Sequence, residues 1–193
     1  MAGEKPIRAF LAVEVPHHIT AGIRDIQKRL AHRIEDIRWV RPEGIHLTLK
    51  FFGNISEEDI PCISRVVGEK AADTAPVTLC VHTLGVFPGP SRPRVLWMGC
   101  TGDTGRLAAL HSRIESALPE CGFPREGRAF RPHLTLGRAR SQKKMFTGAG
   151  DIGGEGERYE AGRFEAGELT LFRSELMPDG ARYSKLARYP FAG

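Results

Sequence analysis

Two stretches decide the fold: Trp39-Val40-Arg41-Pro42-Glu43-Gly44-Ile45-His46-Leu47-Thr48-Leu49-Lys50 and Phe130-Arg131-Pro132-His133-Leu134-Thr135-Leu136-Gly137-Arg138. They share the tetrapeptide His-Leu-Thr-Leu, each copy follows an Arg-Pro, and the copies fall in corresponding places in the two halves of a 193-residue chain. A motif repeated at equivalent positions marks a duplicated unit. Both segments read as strands. Side chains alternate along a strand, so in each copy His and Thr project from one face and the two Leu from the other. Each half thus offers an imidazole and a hydroxyl on one side, anchored by leucines on the other. Two halves related by a two-fold axis would set two His–Thr pairs across one groove.

The flanking sequence supports that arrangement. Ile7 to Val15 reads as a strand ending at Pro16. Residues 18 to 35 place Ile19, Ile23, Ile26, Leu30 and Ile34 on one helical stripe. Trp39-Val40 and Ile45 to Phe52 read as a short hairpin, with Gly53-Asn54 as the turn after it. Ser56-Glu57-Glu58-Asp59 starts a helix to about Ala72. Pro76 to Phe87 and Arg94 to Gly99 follow as strands joined by the loop PGPSRP. In the second half Asp103-Thr104 caps a helix to about Leu118, and Ala129 to Leu136 is a strand. Residues 141 to 160 are a Gly-rich loop with at most one helical turn. Glu165 to Leu176 and Ala181 to Ala187 close as an antiparallel pair around Met177-Pro178-Asp179-Gly180. Strand–helix–strand–strand therefore occurs twice. The expectation is an α+β chain whose residues 1–193 form one bilobal domain: two pseudo-symmetric lobes, each with an antiparallel sheet and helices, around a central cleft.

The constellation suits hydrolysis of a phosphodiester. One neutral imidazole can take a proton from attacking water while one imidazolium protonates the departing alkoxide. Histidine serves because its ordinary pKa of about 6.5 lets both forms coexist near neutral pH. The hydroxyls of Thr48 and Thr135 can hold the non-bridging phosphate oxygens, where transition-state charge is greatest. Arg138 and Lys50, just beyond the two motifs, are the candidate cations, so no metal is expected. Lys50 has the parity of His46, but Arg138 has the opposite parity to His133. A bulge at Gly137 would bring it to the groove.

Composition sets the class. Hydrophobic residues make up 41% and charged residues 26%, ordinary for a soluble globular protein. No apolar run approaches the roughly 20 residues that span a bilayer, and the first residues lack a signal-peptide core, so a cytoplasmic location is expected. A net charge of +5 favours polyanionic partners without proving one. Cys62, Cys80, Cys100 and Cys121 are far apart, unlike the close spacing of zinc ligands, and are expected to be free thiols.

Five stretches, RAFLAVEVP, WVRPEGIHLTLKFFGNI, SRPRVLWMG, FRPHLTLGRAR and LFRSELMPDGARYSKLARYPF, carry a resemblance that spans nearly the whole chain. In them the chain resembles the RNA 2′,3′-cyclic phosphodiesterases, also called 2′-5′ RNA ligases, of the two-histidine (2H, HxTx) phosphoesterase superfamily. That resemblance implies two α+β lobes around a cleft, and hydrolysis of 2′,3′-cyclic ends to 2′-phosphomonoesters, as in tRNA and other RNA processing. It implies His46 as proton donor to the 3′ oxygen, His133 as proton acceptor, and Thr48, Thr135 and Arg138 as phosphate ligands. It also implies no cofactor, RNA ends or nucleoside 2′,3′-cyclic phosphates as partners, and ATP-independent joining of RNA ends. A monomer is expected. The symmetry of the motifs leaves acid and base unassigned by sequence alone.

Other features have plainer readings. Gly148, Gly150 and Gly153 fit a dinucleotide fingerprint by letter, but Glu155 and Glu157 would stand where a pyrophosphate binds, so a loop is expected. Phe10 and Trp97 are candidates to stack a base, with core packing the stronger account of each. Arg92 and Arg94 are candidates for RNA backbone contacts or solvated charges. His17, His18, His32, His82 and His111 belong to no paired motif. A non-catalytic RNA-binding module is the competing class, and 2′-5′-linked oligonucleotides or cyclic phosphates from tRNA splicing are alternative substrates.

Overall fold

The computed structural model describes residues 5–141, 146–148, 159–177 and 180–193. Its strands are β1 (Ile7–Glu14), β2 (Ile37–Trp39), β3 (His46–Ile55), β4 (Val77–Phe87), β5 (Val95–Gly102), β6 (His133–Ala139), β7 (Glu160–Ala166), β8 (Glu168–Met177) and β9 (Gly180–Pro190). The helices are α1 (His17–Ala31), α2 (Asp59–Ala72) and α3 (Thr104–Ala117).

The two His-Leu-Thr-Leu strands meet at the centre of one antiparallel sheet ordered β7-β4-β5-β6-β3-β1-β8-β9, with β2 added to β6. Leu47 stands opposite Leu134 there. An axis through that pair relates β6-β5-β4-β7 to β3-β1-β8-β9, the two pseudo-symmetric lobes of an α+β fold. Leu47, Leu134 and Leu136 are fully buried and Leu49 nearly so, as the alternating pattern requires. α1 buries the expected stripe of Ile19, Ile23, Ile26 and Leu30 and lies against β7. α2 buries Ile63, Val66 and Val67 and lies against β9 and α3. Each such aliphatic side chain contributes about 1.5–3 kcal/mol, enough to hold the helices on the outer face and leave the opposite face for the groove.

Several elements depart from the sequence expectation. Trp39 does not pair with β3 as a hairpin; β2 joins the other lobe, with Trp39 opposite Gly137. A 3-10 turn at Pro42–Gly44 separates it from β3, which runs on through Gly53-Asn54 to Ile55. Cross-lobe pairing of this kind leaves no local signature. The closing strand expected at 165–176 is cut at Gly167: β7 joins β4 at one edge of the sheet, while β8 turns to β1 and β9 at the other. β6 begins at His133, not Ala129.

Two cysteines are also corrected. Cys62 on α2 is bonded to Cys121, with Cα atoms 5.8 Å apart, although 59 positions separate them. Helix packing brings them together, which linear spacing cannot show. Cys80 and Cys100 are free.

Candidate active site

Continuing the Leu47–Leu134 register by one residue sets His46 opposite Thr135 and Thr48 opposite His133. Opposite residues in antiparallel strands share a face, so all four project together. The two histidines become diagonal neighbours across the Leu47–Leu134 pair. Both rings are held alike. His46 Nδ1–H donates to the Gly44 carbonyl at 2.9 Å, and His133 Nδ1–H donates to the Arg131 carbonyl at 2.6 Å. A carbonyl oxygen can only accept, so each ring carries its proton on Nδ1 and leaves Nε2 for a substrate. The Arg-Pro dipeptides are not equivalent in this respect. The first lies three residues farther upstream, and the 3-10 turn absorbs the excess so that a carbonyl two positions before the histidine is presented in both lobes.

The parity problem of Arg138 is resolved by a bulge. Leu96 pairs with Gly137 but Trp97 pairs with Thr135, so Leu136 is the extra residue and the strand flips after it. Arg138 then points to the side of His133. A Cβ at Gly137 would come within 2.5 Å of Ile37 Cδ1, so a larger residue there would have to push the Ile37 side chain aside. The same device acts in β3, where Leu11 pairs with Lys50 and Ala12 with Thr48. That bulge at Leu49 has the reverse consequence for Lys50, which turns away from the groove. Lys50 Nζ lies 2.9 Å from Glu115 Oε1 and donates to the Pro124 carbonyl at 2.9 Å. The expectation that Lys50 binds phosphate is therefore not met; its ammonium is buried in the core.

Arg138 acts on both histidines. Burial pushes His46 down to about 4 from an ordinary 6.5, the Arg138 charge adds to this, and the bond to Gly44 opposes it. His133 is lowered by burial and by Arg138, against the bond to Arg131. Both rings are thus neutral at pH 7 in the free protein.

Aromatic side chains brace each ring. Phe10 stacks on His46 with centroids 4.5 Å apart, Phe172 stacks on Phe10 at 5.2 Å, and Tyr183 meets His46 edge-on at 5.2 Å. Phe10 is only 2% exposed, so it supports the histidine and presents no face to a base. In the other lobe Phe87 meets His133 edge-on at 5.2 Å and stacks on Trp97. A cavity of about 390 Å³ opens beside His46, walled by Glu14, Arg24, Phe172, Tyr183 and Lys185 among others. Burial would raise the Glu14 carboxyl, but the Lys185 ammonium at 2.6 Å and the Thr170 hydroxyl hold it below its usual range. A second cavity, of about 460 Å³, opens beside His133.

Known proteins share this architecture. A family model described as the 2′-5′ RNA ligase superfamily matches residues 15–176. The chain belongs to that superfamily. An RNA 2′,3′-cyclic phosphodiesterase of Methanothermobacter thermautotrophicus is 32% identical over 93% of this chain and 96% of its own. A protein of the same name from Archaeoglobus fulgidus is 31% identical over 93% and 98%. Among solved structures, TT0787 of Thermus thermophilus superposes with a TM-score of 0.79 at 25% identity, covering 97% of this chain and 99% of that one. E. coli LigT complexed with 3′-AMP gives 0.76 at 26% identity, covering 98% and 100%.

Within this 2′-5′ RNA ligase fold the structure brings His46, Thr48, His133, Thr135 and Arg138 to one face of the sheet, and withdraws Lys50 and the ring face of Phe10 from it. Phe172, Tyr183 and the backbone carbonyls of Gly44 and Arg131 were not singled out by sequence reasoning. The carbonyls follow from the short span between each Arg-Pro and its histidine; the aromatics come from distant strands and left no signal. Gly148 lies against the backbone of Arg33 and Ile34, and the rest of that Gly-rich stretch, with the dinucleotide-like spacing, lies outside the described residues. Among the described residues no helix is long and apolar enough to cross a membrane.

Proposed function

We propose that this protein opens 2′,3′-cyclic phosphate ends of RNA by metal-independent acid–base catalysis, leaving a 2′-phosphomonoester. The observation that supports this reading is the Leu47–Leu134 register, which sets His46 and His133 on one face of the sheet from opposite lobes, each with Nδ1 held by a backbone carbonyl. Relatives of about 30% identity over nearly the whole chain bear the name of that activity.

His133 Nε2 accepts a proton from water as its oxygen attacks phosphorus, and the bond to the 3′ oxygen breaks on the opposite side. His46, protonated at Nε2, gives that oxygen its proton. Thr48 and Thr135 hydroxyls donate to the non-bridging oxygens, and Arg138 supplies the positive charge a metal would otherwise bring. The negative charge of the bound phosphate itself favours the imidazolium that the free site disfavours. A 5′-hydroxyl in place of water would give a 2′-5′ link by the same steps, so ATP-independent joining belongs to this proposal. A cytoplasmic RNA end as substrate and a monomeric state do as well.

The test is product analysis on an RNA with a defined 2′,3′-cyclic end, with and without EDTA. Equal turnover in both, with a 2′-phosphate product, is expected. His46→Ala and His133→Ala should each slow it by roughly a hundredfold or more. A 3′-phosphate product would reverse the leaving oxygen, and salt-sensitive binding without turnover would favour the RNA-binding reading.

A further inference from the structure

In an in-line displacement the entering and leaving oxygens lie on opposite sides of phosphorus. If His46 protonates the 3′ oxygen, the ribose and base of the cyclic nucleotide occupy the cavity that contains His46. The cavity that contains His133 is then on the side of the attacking oxygen, and the two cavities share no lining residue. Attack by water requires no second cavity. At about 460 Å³ this one falls in the size range of small-molecule sites.

Its walls have the chemistry of a nucleoside site. Phe87, Trp97 and Phe130 line it, with Arg131 at the rim. Phe87 and Trp97 are stacked with centroids 5.0 Å apart, and Phe130 is held flat against His111 at 4.3 Å. Gly85 is what lets the indole lie down on β4: a Cβ there would overlap Trp97 Cζ2. Gly105 also lines the cavity and faces open space, with nothing within 4 Å of where a Cβ would stand. Rigid aromatic faces beside an open volume accept any base by stacking.

We propose that this cavity binds the nucleoside carrying an attacking 5′-hydroxyl, and so turns ring opening into 2′-5′ joining. The inference rests on the cyclic phosphodiesterase reading above. The 5′ oxygen bonds to phosphorus and loses its proton to His133 Nε2, while the bond from phosphorus to the 3′ oxygen breaks and that oxygen takes the proton of His46. No nucleotide cofactor is consumed. Run backwards, the same site holds the departing nucleoside of a 2′-5′-linked RNA.

The experiment incubates a cyclic-ended RNA with increasing 5′-hydroxyl RNA and measures the ratio of 2′-5′-joined product to 2′-phosphate. In the native protein the ratio should rise and saturate. Gly105→Phe, which adds a bulky ring to the cavity lining, should cut the ratio about tenfold or more, the loss expected for one base–aromatic stack, with the hydrolysis rate held within about twofold. Phe130→Leu should lower the ratio in the same direction, and thermal melts would confirm that both variants fold. The proposal is overturned by hydrolysis that is never diverted, by an unchanged ratio in both variants, or by joining and hydrolysis falling together in both. Absence of hydrolysis in the native protein on every cyclic phosphate would instead overturn the proposed function.

Discussion

Phe51 and Arg138 are counterparts in the two lobes. Each stands five positions beyond its motif histidine, and each is turned to the groove by a bulge at the leucine two positions earlier. Both lobes keep the backbone device while the chemistry at its end differs. One lobe delivers a guanidinium; the other delivers a phenyl ring that is 54% exposed and packs 5.8 Å from Phe10. The Arg138 charge is felt by both imidazoles.

That asymmetry makes Arg138→Ala informative in two ways. Losing the phosphate ligand should lower kcat/KM for a cyclic phosphate roughly a hundredfold. Removing the charge should also let both histidines rise toward their ordinary values, since Arg138 lowers each. The pH of maximal kcat/KM should move upward, and Arg138→Lys should restore the profile better than the rate. A slowed enzyme with an unmoved profile would show that the guanidinium does not govern the rings.

The wild-type pH profile follows from the same balance. Turnover needs one protonated and one neutral imidazole, yet His46 sits at about 4 and His133 below 6.5 in the free protein. At neutral pH the scarce species is the protonated donor, and its fraction grows as pH falls. kcat/KM should therefore rise as pH falls below about 8 and turn down only when both rings are protonated, near the value of about 4 at which His46 titrates. Steady-state rates in buffers of constant ionic strength measure this. A maximum above neutrality would contradict the roles given to the two rings.

The Cys62–Cys121 bond ties α2 to the turn that leads through Phe123 and Pro124 toward His133. A cross-link between residues 59 apart removes denatured-state entropy equivalent to about 2–4 kcal/mol. Cys62→Ser, or reduction, should lower Tm by roughly 5–15 °C. Hydrolysis at 25 °C should survive, because neither sulfur reaches the groove. Calorimetry with and without reductant checks the first part, and an activity assay the second.

What the sequence revealed and what it concealed divide along one physical line. The paired His-Leu-Thr-Leu strands, the Ile19–Leu30 stripe and the groove face of His46, Thr48, His133 and Thr135 follow from periodicity, which is local. Arg138 was legible from Gly137, which hinted at a bulge, and from the family resemblance. Lys50 was misread because the matching bulge at Leu49 has no glycine to betray it. β2 and β7 pair with strands about 100 and 80 residues away in sequence, and no local pattern encodes such a partner. The disulfide was hidden for the same reason.

Lys50 offers the sharpest separation of site from scaffold. By parity alone it would be a phosphate ligand, and its loss would raise KM for the cyclic phosphate. In the structure its ammonium is buried against Glu115, which also accepts the Glu126 backbone N–H at 2.7 Å. Lys50→Met would leave that carboxylate buried without its cation, a change that costs about 3–5 kcal/mol. The expected outcome is a large fall in Tm or in the urea midpoint. KM for a 2′,3′-cyclic nucleotide should stay near the wild-type value at a temperature where the variant is folded. Adding Glu115→Gln should recover much of the lost stability, since the neutral amide no longer needs a partner charge. A stable Lys50→Met protein with a strongly raised KM would return Lys50 to the groove and overturn the bulge at Leu49 as the reason for its exclusion.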